Sequence, residues 1–313
     1  MIDIASQVEP IGGWIADGTI ARAAAIVVHR GQVIGERWWG DATDGSPIDA
    51  RTLLPFASLT KPALATAVLR LVSRGVMALS NRIGDVLPDA PVAVRSITVA
   101  QLLTHSGGFP EHVPGVEALQ ARGAAVGEYV RAALGATLLF EPGTRVLYSN
   151  AGFQVLGAMV ERAAGASVAD VLERETFAPV GMPGATLRPL SRPGARVARV
   201  EIAGARSADP AHELYNSAYF KRLGRADAGL FATPRDVALL LEMYRLGGRG
   251  VLPAELAAEA ILSQTHGIPG RYGAYEWESC DFGWGWEIKN GKQPHPTGAR
   301  TSVRSRFSRA SSR

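Results

Sequence analysis

The sequence is poor in cysteine and has no long apolar run. Cys280 is the only cysteine among 313 residues, so an internal disulfide is excluded. No stretch approaches the roughly 18 uninterrupted apolar residues of a membrane span, so no membrane partner is predicted. The first residues also lack a basic leader followed by an apolar segment, which argues against a secretory signal. We therefore expect a cytoplasmic location.

An excess of one charge occurs only near the end of the chain. The 33 basic residues exceed the 29 acidic ones by four, and residues 303–313 contain four arginines and no acidic residue. Basic and acidic residues balance in the rest of the chain, which argues against a nucleic-acid-binding face. The Ser- and Arg-rich composition of 303–313 is typical of disorder. We therefore predict one domain over residues 1–302, followed by a disordered tail over 303–313.

The order of the predicted elements indicates a mixed fold. Residues rich in Ile, Val and Trp on either side of Arg30-Gly31 predict two strands joined by a tight turn. The aromatic segment FGWGWEI, residues 282–288, resembles a further strand. A mostly helical stretch lies between these two parts. The predicted sheet therefore uses both ends of the chain.

Three amphipathic helices are indicated by their apolar spacing and by their ends. The clearest covers residues 58–75, where apolar side chains recur at three- and four-residue intervals. A second apolar stripe predicts a helix over residues 150–164 that Gly165 ends. A third helix is predicted to follow the pair Thr233-Pro234, because Thr is a good cap and Pro suits the first helical position.

The segment Ser58-Leu59-Thr60-Lys61 contains a nucleophile and a base three residues apart. If the helix begins near Ser58, both side chains lie on one face of its first turn and the amine reaches the hydroxyl. The helix dipole and burial both favour the neutral amine, so the pKa of Lys61 should fall. A neutral amine can accept the serine proton, and the nearby backbone N–H groups can stabilise an oxyanion. The alternative is that Ser58 only caps the helix.

A second polar group, Tyr148-Ser149-Asn150, precedes another predicted helix. The Tyr148 phenol could share or relay the proton taken from Ser58, and the Asn150 amide could hold a substrate carbonyl or orient the lysine. The alternative is that Ser149 or Asn150 caps the helix while the ring of Tyr148 packs in the core. His105 lies in a Gly-rich turn and is interpreted as a structural residue that binds the backbone.

Four segments resemble the β-lactamase-related serine hydrolases, which include class C β-lactamases, DD-peptidase-like proteins and family VIII carboxylesterases. In the family's order they are PFASLTKPALATAVLRLVSRG, LLTHSGGFP, EPGTRVLYSNAGFQVLGAMVER and AGLFATPRDVALLLEMYRLGG. The similarity covers roughly Ile20 to Ser302. It implies an α+β fold, β-lactamase/transpeptidase-like, in which helices flank an antiparallel sheet. The active site then lies in the cleft between the sheet and an all-helical subdomain.

The same resemblance implies roles for individual residues. Ser58 is acylated, Lys61 activates it, Tyr148 serves as the partner base and Asn150 contacts the substrate. The expected partner is a small ester or amide substrate; lactams and D-amino-acid peptides stay open, as does the oligomeric state. The resemblance implies no cofactor. It implies no metal either, and His212-Glu213 is not followed by the second His of an H-E-x-x-H zinc site.

The chain departs from this family at the third motif, a Lys or His followed by a small residue and Gly. The only candidate is His295-Pro296-Thr297-Gly298, which has one residue too many and a Pro that cannot donate in a strand. Family-like sequence stops near Ser302, so we expect a truncated or frame-shifted C-terminus without the last strands. Loss of one oxyanion donor costs about 2.7–4 kcal/mol of transition-state stabilisation, so low activity is expected.

Two other functions are alternatives to the serine hydrolase. A non-catalytic binding or scaffold protein of the same fold is the alternative, and it is favoured by the irregular third motif. An α/β-hydrolase is excluded, because it requires a G-x-S-x-G elbow and the sequence has none.

Overall fold

The structure is a computed structural model that describes residues 4–42, 44–200, 210–272 and 275–289. Its helices are α1 (Ile4–Ala16), α2 (Thr60–Ser73), α3 (Ile83–Val86), α4 (Val99–Leu103), α5 (Val116–Ala121), α6 (Val126–Leu134), α7 (Asn150–Ala164), α8 (Val168–Leu172), α9 (Ala178–Val180), α10 (Pro210–Asn216), α11 (Ala218–Leu223), α12 (Pro234–Arg245) and α13 (Ala254–Ala260). A π-helical turn, Glu173–Phe177, joins α8 to α9, and 3-10 turns cover Val92–Val94 and Pro189–Ser191. None of the helices in the described ranges is long and apolar enough to cross a membrane. The candidate motif at 295–298 and the predicted tail lie outside these ranges.

Short strands form three small sheets within the described residues. They are β1 (Ala23–His29), β2 (Gln32–Trp39), β3 (Leu54–Ala57), β4 (Val146–Leu147), β5 (Leu230–Ala232), β6 (Gly270–Tyr272) and β7 (Tyr275–Trp277). β1 pairs with β2 and β3 with β5, both antiparallel. β6 pairs in parallel with β4 and antiparallel with β7. Helices together with mainly antiparallel sheets make this an α+β protein, as predicted.

The predicted hairpin and two of the predicted helices have the expected ends. Arg30 and Gly31 both have positive φ, 50° and 80°, which suits a two-residue turn between β1 and β2. Helix α7 ends at Gly165, whose φ of 64° is left-handed. Helix α12 begins at Pro234, and the hydroxyl of Thr233 caps it by accepting a backbone hydrogen bond from the first turn.

The prediction that FGWGWEI forms a strand was wrong. Within residues 282–288 the structure has an isolated bridge between Phe282 and Glu287 and no extended pairing. Gly285 lies against α2, where a Cβ atom on it would come within 2.5 Å of the side chain of Ala65. The lack of a side chain at this position therefore lets the segment pack on a helix, and it does not pair with β1.

Helix α2 lies in the centre of the main hydrophobic core. The sequence predicted one apolar stripe, whereas every residue from Thr60 to Leu69 is buried. Helix α7 packs nearby, with Phe153, Leu156 and Val160 fully buried. Because neighbours cover α2 on all sides, groups in its first turn are held in fixed positions.

A buried carboxylate fixes the C-terminal end of α2. The Glu175 side chain is 1% exposed and pairs with Arg70 at 3.3 Å, Arg74 at 2.8 Å and Arg174 at 3.0 Å. Arg70 and Arg74 come from the end of α2, and Glu175 belongs to the π-helical turn. The carboxylate therefore joins these two elements.

Replacing Glu175 by alanine should lower the free energy of unfolding by about 2 kcal/mol. The loss is smaller than for a fully buried pair, because Arg74 and Arg174 are half exposed and can rehydrate. Denaturation by urea, followed by circular dichroism, measures it. Glu173→Ala is the matched control: its half-exposed side chain pairs with Arg192, so the change should stay under about 1 kcal/mol. Equal losses in the two variants would contradict the prediction.

Candidate active site

Ser58 lies in the turn between strand β3 and helix α2. Helix α2 begins at Thr60, two residues after Ser58 and close to the predicted start. Leu59 occupies the cap position, with no side-chain capping bond. The Ser58 hydroxyl instead accepts a hydrogen bond from Lys61. In this structure Ser58 is therefore not a helix cap.

The Lys61 amine lies among three oxygen acceptors. Its Nζ is 3.1 Å from Ser58 Oγ, 2.7 Å from Asn150 Oδ1 and 2.9 Å from the backbone carbonyl oxygen of Asp227. The residue is 3% exposed. Burial lowers the pKa of Lys61 from its ordinary value of 10.5 to about 7; the charge of Asp227 opposes this shift and that of Arg225 adds to it. A large fraction of the amine is therefore neutral near pH 7.

Two of the three oxygen acceptors, those of Asn150 and Asp227, determine the orientation of the neutral Lys61 amine. The Asn150 Oδ1 atom and the Asp227 carbonyl oxygen can only accept hydrogen bonds, so each takes one N–H of the neutral amine. The nitrogen lone pair is then left for the third neighbour, the Ser58 hydroxyl. The 3.1 Å separation is within the range for direct proton transfer.

Tyr148 and Asn150 approach the amine from the start of α7. Ser149 caps this helix: its hydroxyl accepts a backbone hydrogen bond at 2.9 Å, as in the capping alternative for this segment. The ring centroid of Tyr148 lies 4.7 Å from Lys61 Nζ, a cation–π distance when the amine is charged. Asn150 contacts the amine directly and so orients it. The four predicted site residues therefore meet around one amine.

The chain is similar in sequence to a family of known proteins. The profile of the Beta-lactamase family matches residues 10–304, nearly the whole chain. This chain belongs to the beta-lactamase family. The resemblance to β-lactamase-related serine hydrolases, expected over Ile20 to Ser302, is confirmed.

Curated relatives in the beta-lactamase family match parts of the chain. Esterase EstB of Burkholderia gladioli is 34% identical over 178 residues, which are 51% of this chain and 45% of its own length. Penicillin-binding protein 4* of Bacillus subtilis is 29% identical over 46% of this chain and 32% of its own. A protein of Escherichia coli K12 named "Putative D-alanyl-D-alanine carboxypeptidase" is 26% identical over 87% of this chain and 69% of its own. The chain thus spans less than half the length of the first two relatives.

Solved structures share the fold of this chain. The octameric penicillin-binding protein homologue from Pyrococcus abyssi has a TM-score of 0.74 and covers 91% of this chain and 64% of its own, at 21% identity. A penicillin-binding protein from Bacillus halodurans has a TM-score of 0.71 and covers 93% of this chain and 85% of its own, at 20% identity. These likenesses place the chain in the beta-lactamase fold.

His105 supports the Tyr148 segment beside Lys61. Its Nδ1 accepts a hydrogen bond from the backbone N–H of Ser149 at 3.0 Å, and its carbonyl oxygen accepts one from Leu147 at 3.0 Å. The imidazole ring also packs 4.6 Å from the ring of Tyr148. Burial, and then the charge of Lys61, hold the pKa of His105 well below its ordinary 6.5, so the ring is neutral and can accept. These backbone contacts agree with the structural interpretation made from the sequence.

A buried ion pair behind Lys61 was not predicted. Arg225 donates from Nε and Nη2 to the two carboxylate oxygens of Asp227, at 2.9 and 2.6 Å, and Gln154 of α7 donates to the same carboxylate. Arg225 is 7% exposed and Asp227 1%. The pair fixes the loop whose carbonyl oxygen accepts from Lys61. The available signal was two opposite charges, two residues apart, just before an apolar run.

The described residues contain no group of three or more His, Cys, Asp or Glu side chains that could hold a metal ion. Glu213, from the His-Glu pair noted in the sequence, instead forms an ion pair with Arg199 at 2.8 Å.

Proposed function

We propose that the protein is a serine hydrolase that cleaves small esters or amides through an acyl-enzyme at Ser58. The observation that carries the proposal is the 3.1 Å contact between Ser58 Oγ and a buried amine whose pKa lies near 7. A serine hydroxyl is a weak nucleophile until a base takes its proton. A lysine that is largely neutral near pH 7 supplies that base, which an ordinary lysine does not.

In the proposed reaction, Ser58 Oγ attacks the carbonyl carbon of the substrate while its proton passes to Lys61 Nζ. Negative charge develops on the carbonyl oxygen, and the backbone N–H of Ser58 is the donor that we assign to it. The bond to the leaving alcohol or amine then breaks, and the leaving group takes the proton from Lys61. Water adds to the acyl-enzyme, the acid is released and Ser58 regains its proton.

Tyr148 and Asn150 complete the proposed site. We assign Tyr148 as the partner base, supported by its ring beside Lys61. We assign Asn150 two functions: its Oδ1 orients the amine, and its Nδ2 donates to the substrate carbonyl. The proposed scheme uses only groups of the protein, the substrate and water, so we expect no cofactor.

Similarity to known proteins favours esters and amides as the substrate class. EstB is named as an esterase, and the relative from Escherichia coli is named as a carboxypeptidase, which would cleave an amide bond. A serine nucleophile with a neighbouring base can perform both reactions by acyl transfer. We therefore propose small esters as the first substrates to test.

Labelling by a fluorophosphonate probe tests the nucleophile. The probe reacts with an activated serine, so mass spectrometry of the intact protein should show a single adduct that peptide mapping assigns to Ser58. Ser58→Ala should abolish this adduct. The matched control is Ser73→Ala at the far end of helix α2, where the exposed hydroxyl donates to the backbone carbonyl oxygen of Arg70; this variant should be labelled like the wild type.

Turnover of a p-nitrophenyl ester provides the second readout. Hydrolysis should depend on Ser58 and persist in Ser73→Ala. Folded, soluble protein that forms no adduct at Ser58 and hydrolyses no ester would overturn the proposal in favour of a non-catalytic protein of the same fold.

A further inference from the structure

The residue before Ser58 has an unusual backbone conformation. Ala57 has a φ of 43°, in the left-handed region that residues with a Cβ rarely adopt. The pairing of β3 with β5 is also irregular here: Pro55 opposes Phe231 and Ala57 opposes Leu230, so no residue of β5 lies opposite Phe56. A strained conformation of this kind persists only where surrounding contacts hold it.

The hydroxyl of Thr60 makes such contacts. Its Oγ1 donates to the carbonyl oxygen of Ala57 at 2.5 Å and accepts from the backbone N–H of Leu230 at 2.8 Å. Thr60 is completely buried. One side chain in the first turn of α2 therefore connects the last residue of β3 with the first residue of β5, and pairs two buried backbone groups.

We propose that Thr60 is a positioning residue, whose hydroxyl holds Ala57 in the left-handed conformation and thereby directs Ser58 Oγ towards Lys61. Without this bond, the peptide before Ser58 relaxes towards an ordinary strand conformation, and the direction of the Ser58 side chain rotates with it. The inference rests on the proposed function, because it assigns Thr60 a role in the reactivity of Ser58.

Thr66 provides a control that distinguishes the proposed role of Thr60 from a general contribution of buried hydroxyls to stability. It lies in the same helix, is also fully buried, and makes two hydrogen bonds, to the carbonyl oxygen of Pro62 at 2.8 Å and to Tyr244 at 2.8 Å. Neither bond reaches the backbone around Ser58. Thr66→Val therefore removes the same chemical group from the same helix, and serves as the matched control.

The test measures the second-order rate of fluorophosphonate labelling at Ser58, normalised to the folded fraction. Thr60→Val should label about 10- to 100-fold more slowly than the wild type, because small misplacements of a reacting group have effects of this size. With an ester substrate, kcat should fall while KM changes little. Thr60→Ser keeps the hydroxyl and should stay within about threefold of the wild type. Thr66→Val should lower Tm but label at the wild-type rate.

A second substitution tests the mechanism directly. Glycine adopts positive φ without a steric penalty, so Ala57→Gly added to Thr60→Val should restore labelling to within about threefold of the wild type. If Thr60→Val is insoluble, Thr60→Ala removes the same hydroxyl and takes its place.

Three results decide between the proposals. Wild-type protein that is not labelled at Ser58 overturns the proposed function, and the inference with it. If the wild type is labelled at Ser58 and the Thr60→Val variant is labelled equally fast, the inference about Thr60 is overturned and the proposed function stands. A slow Thr60→Val variant that Ala57→Gly does not rescue also overturns it, because the hydroxyl then acts by something other than the Ala57 conformation.

Discussion

Replacing Lys61 by methionine should slow the reaction of Ser58 with an ester or a fluorophosphonate by about 10²- to 10⁴-fold, the usual contribution of a general base. Methionine has a similar length and fills the buried space, but it cannot accept a proton. It also leaves the Asn150 Oδ1 atom and the Asp227 carbonyl oxygen without their donor. Stopped-flow or gel-based labelling, followed over time at fixed pH, measures the rate.

Lys289→Met is the control for this substitution, because it makes the same chemical change at an exposed position. It should label at the wild-type rate. Folding of Lys61→Met is checked by circular dichroism, since a buried amine is being exchanged for a thioether. A folded Lys61→Met variant that labels within about tenfold of the wild type would show that another group takes the proton.

Replacing Asp227 by asparagine should lower the free energy of unfolding by about 3–5 kcal/mol, because it leaves the buried guanidinium of Arg225 without its counter-charge.

The same substitution should change the pH dependence of the rate at which the fluorophosphonate labels Ser58. In the wild type the rate should rise through about pH 7 as the neutral fraction of Lys61 increases. The charge of Asp227 raises the pKa of Lys61, so without it the rise should move to lower pH.

Replacing Arg225 by methionine should shift the increase in labelling rate with pH in the direction opposite to that expected for Asp227→Asn. The charge of Arg225 lowers the pKa of Lys61, so its removal raises that pKa and shifts the increase in labelling rate to higher pH.

The double variant Asp227→Asn/Arg225→Met removes both charges, and it should be more stable than either single variant. Asp236→Asn is the control: this buried carboxylate receives hydrogen bonds from Thr233 at the start of α12, so the variant should lose stability without a pH shift. If the pH dependence of labelling shifted in the same direction in Asp227→Asn and Arg225→Met, the assigned effects of the two charges on the pKa of Lys61 would be wrong.

The elements that could be predicted from the sequence are those with a local signature. Helices α7 and α12 have capping residues and an apolar stripe, and the hairpin has Arg30-Gly31 between two β-branched runs. The contact between Ser58 and Lys61 could also be anticipated, because residues three apart lie on the same side of a helical turn. The helix in fact begins at Thr60, yet the contact forms, since the turn before it keeps the two side chains together.

Features that depend on tertiary contacts could not be predicted in this way. The carbonyl oxygen of Asp227 reaches Lys61 through a loop whose position follows from a buried ion pair, and charged residues are ordinarily expected at the surface. The left-handed Ala57 carries no glycine signal that would mark a turn. The 282–288 segment was mistaken for a strand because its aromatic residues are frequent in strands, whereas Gly285 fits it against α2.

Two of the three oxygen atoms around Lys61 come from distant parts of the chain: Asn150 is 89 residues away in the sequence and Asp227 is 166. Contacts over such separations form late, after the intervening chain has collapsed. Until then the lysine side chain is hydrated and protonated at neutral pH, and the neighbouring serine is an ordinary alcohol. In a newly synthesised or partly unfolded copy Ser58 is thus unreactive towards esters and fluorophosphonates, and its nucleophilicity appears only once the native structure is complete.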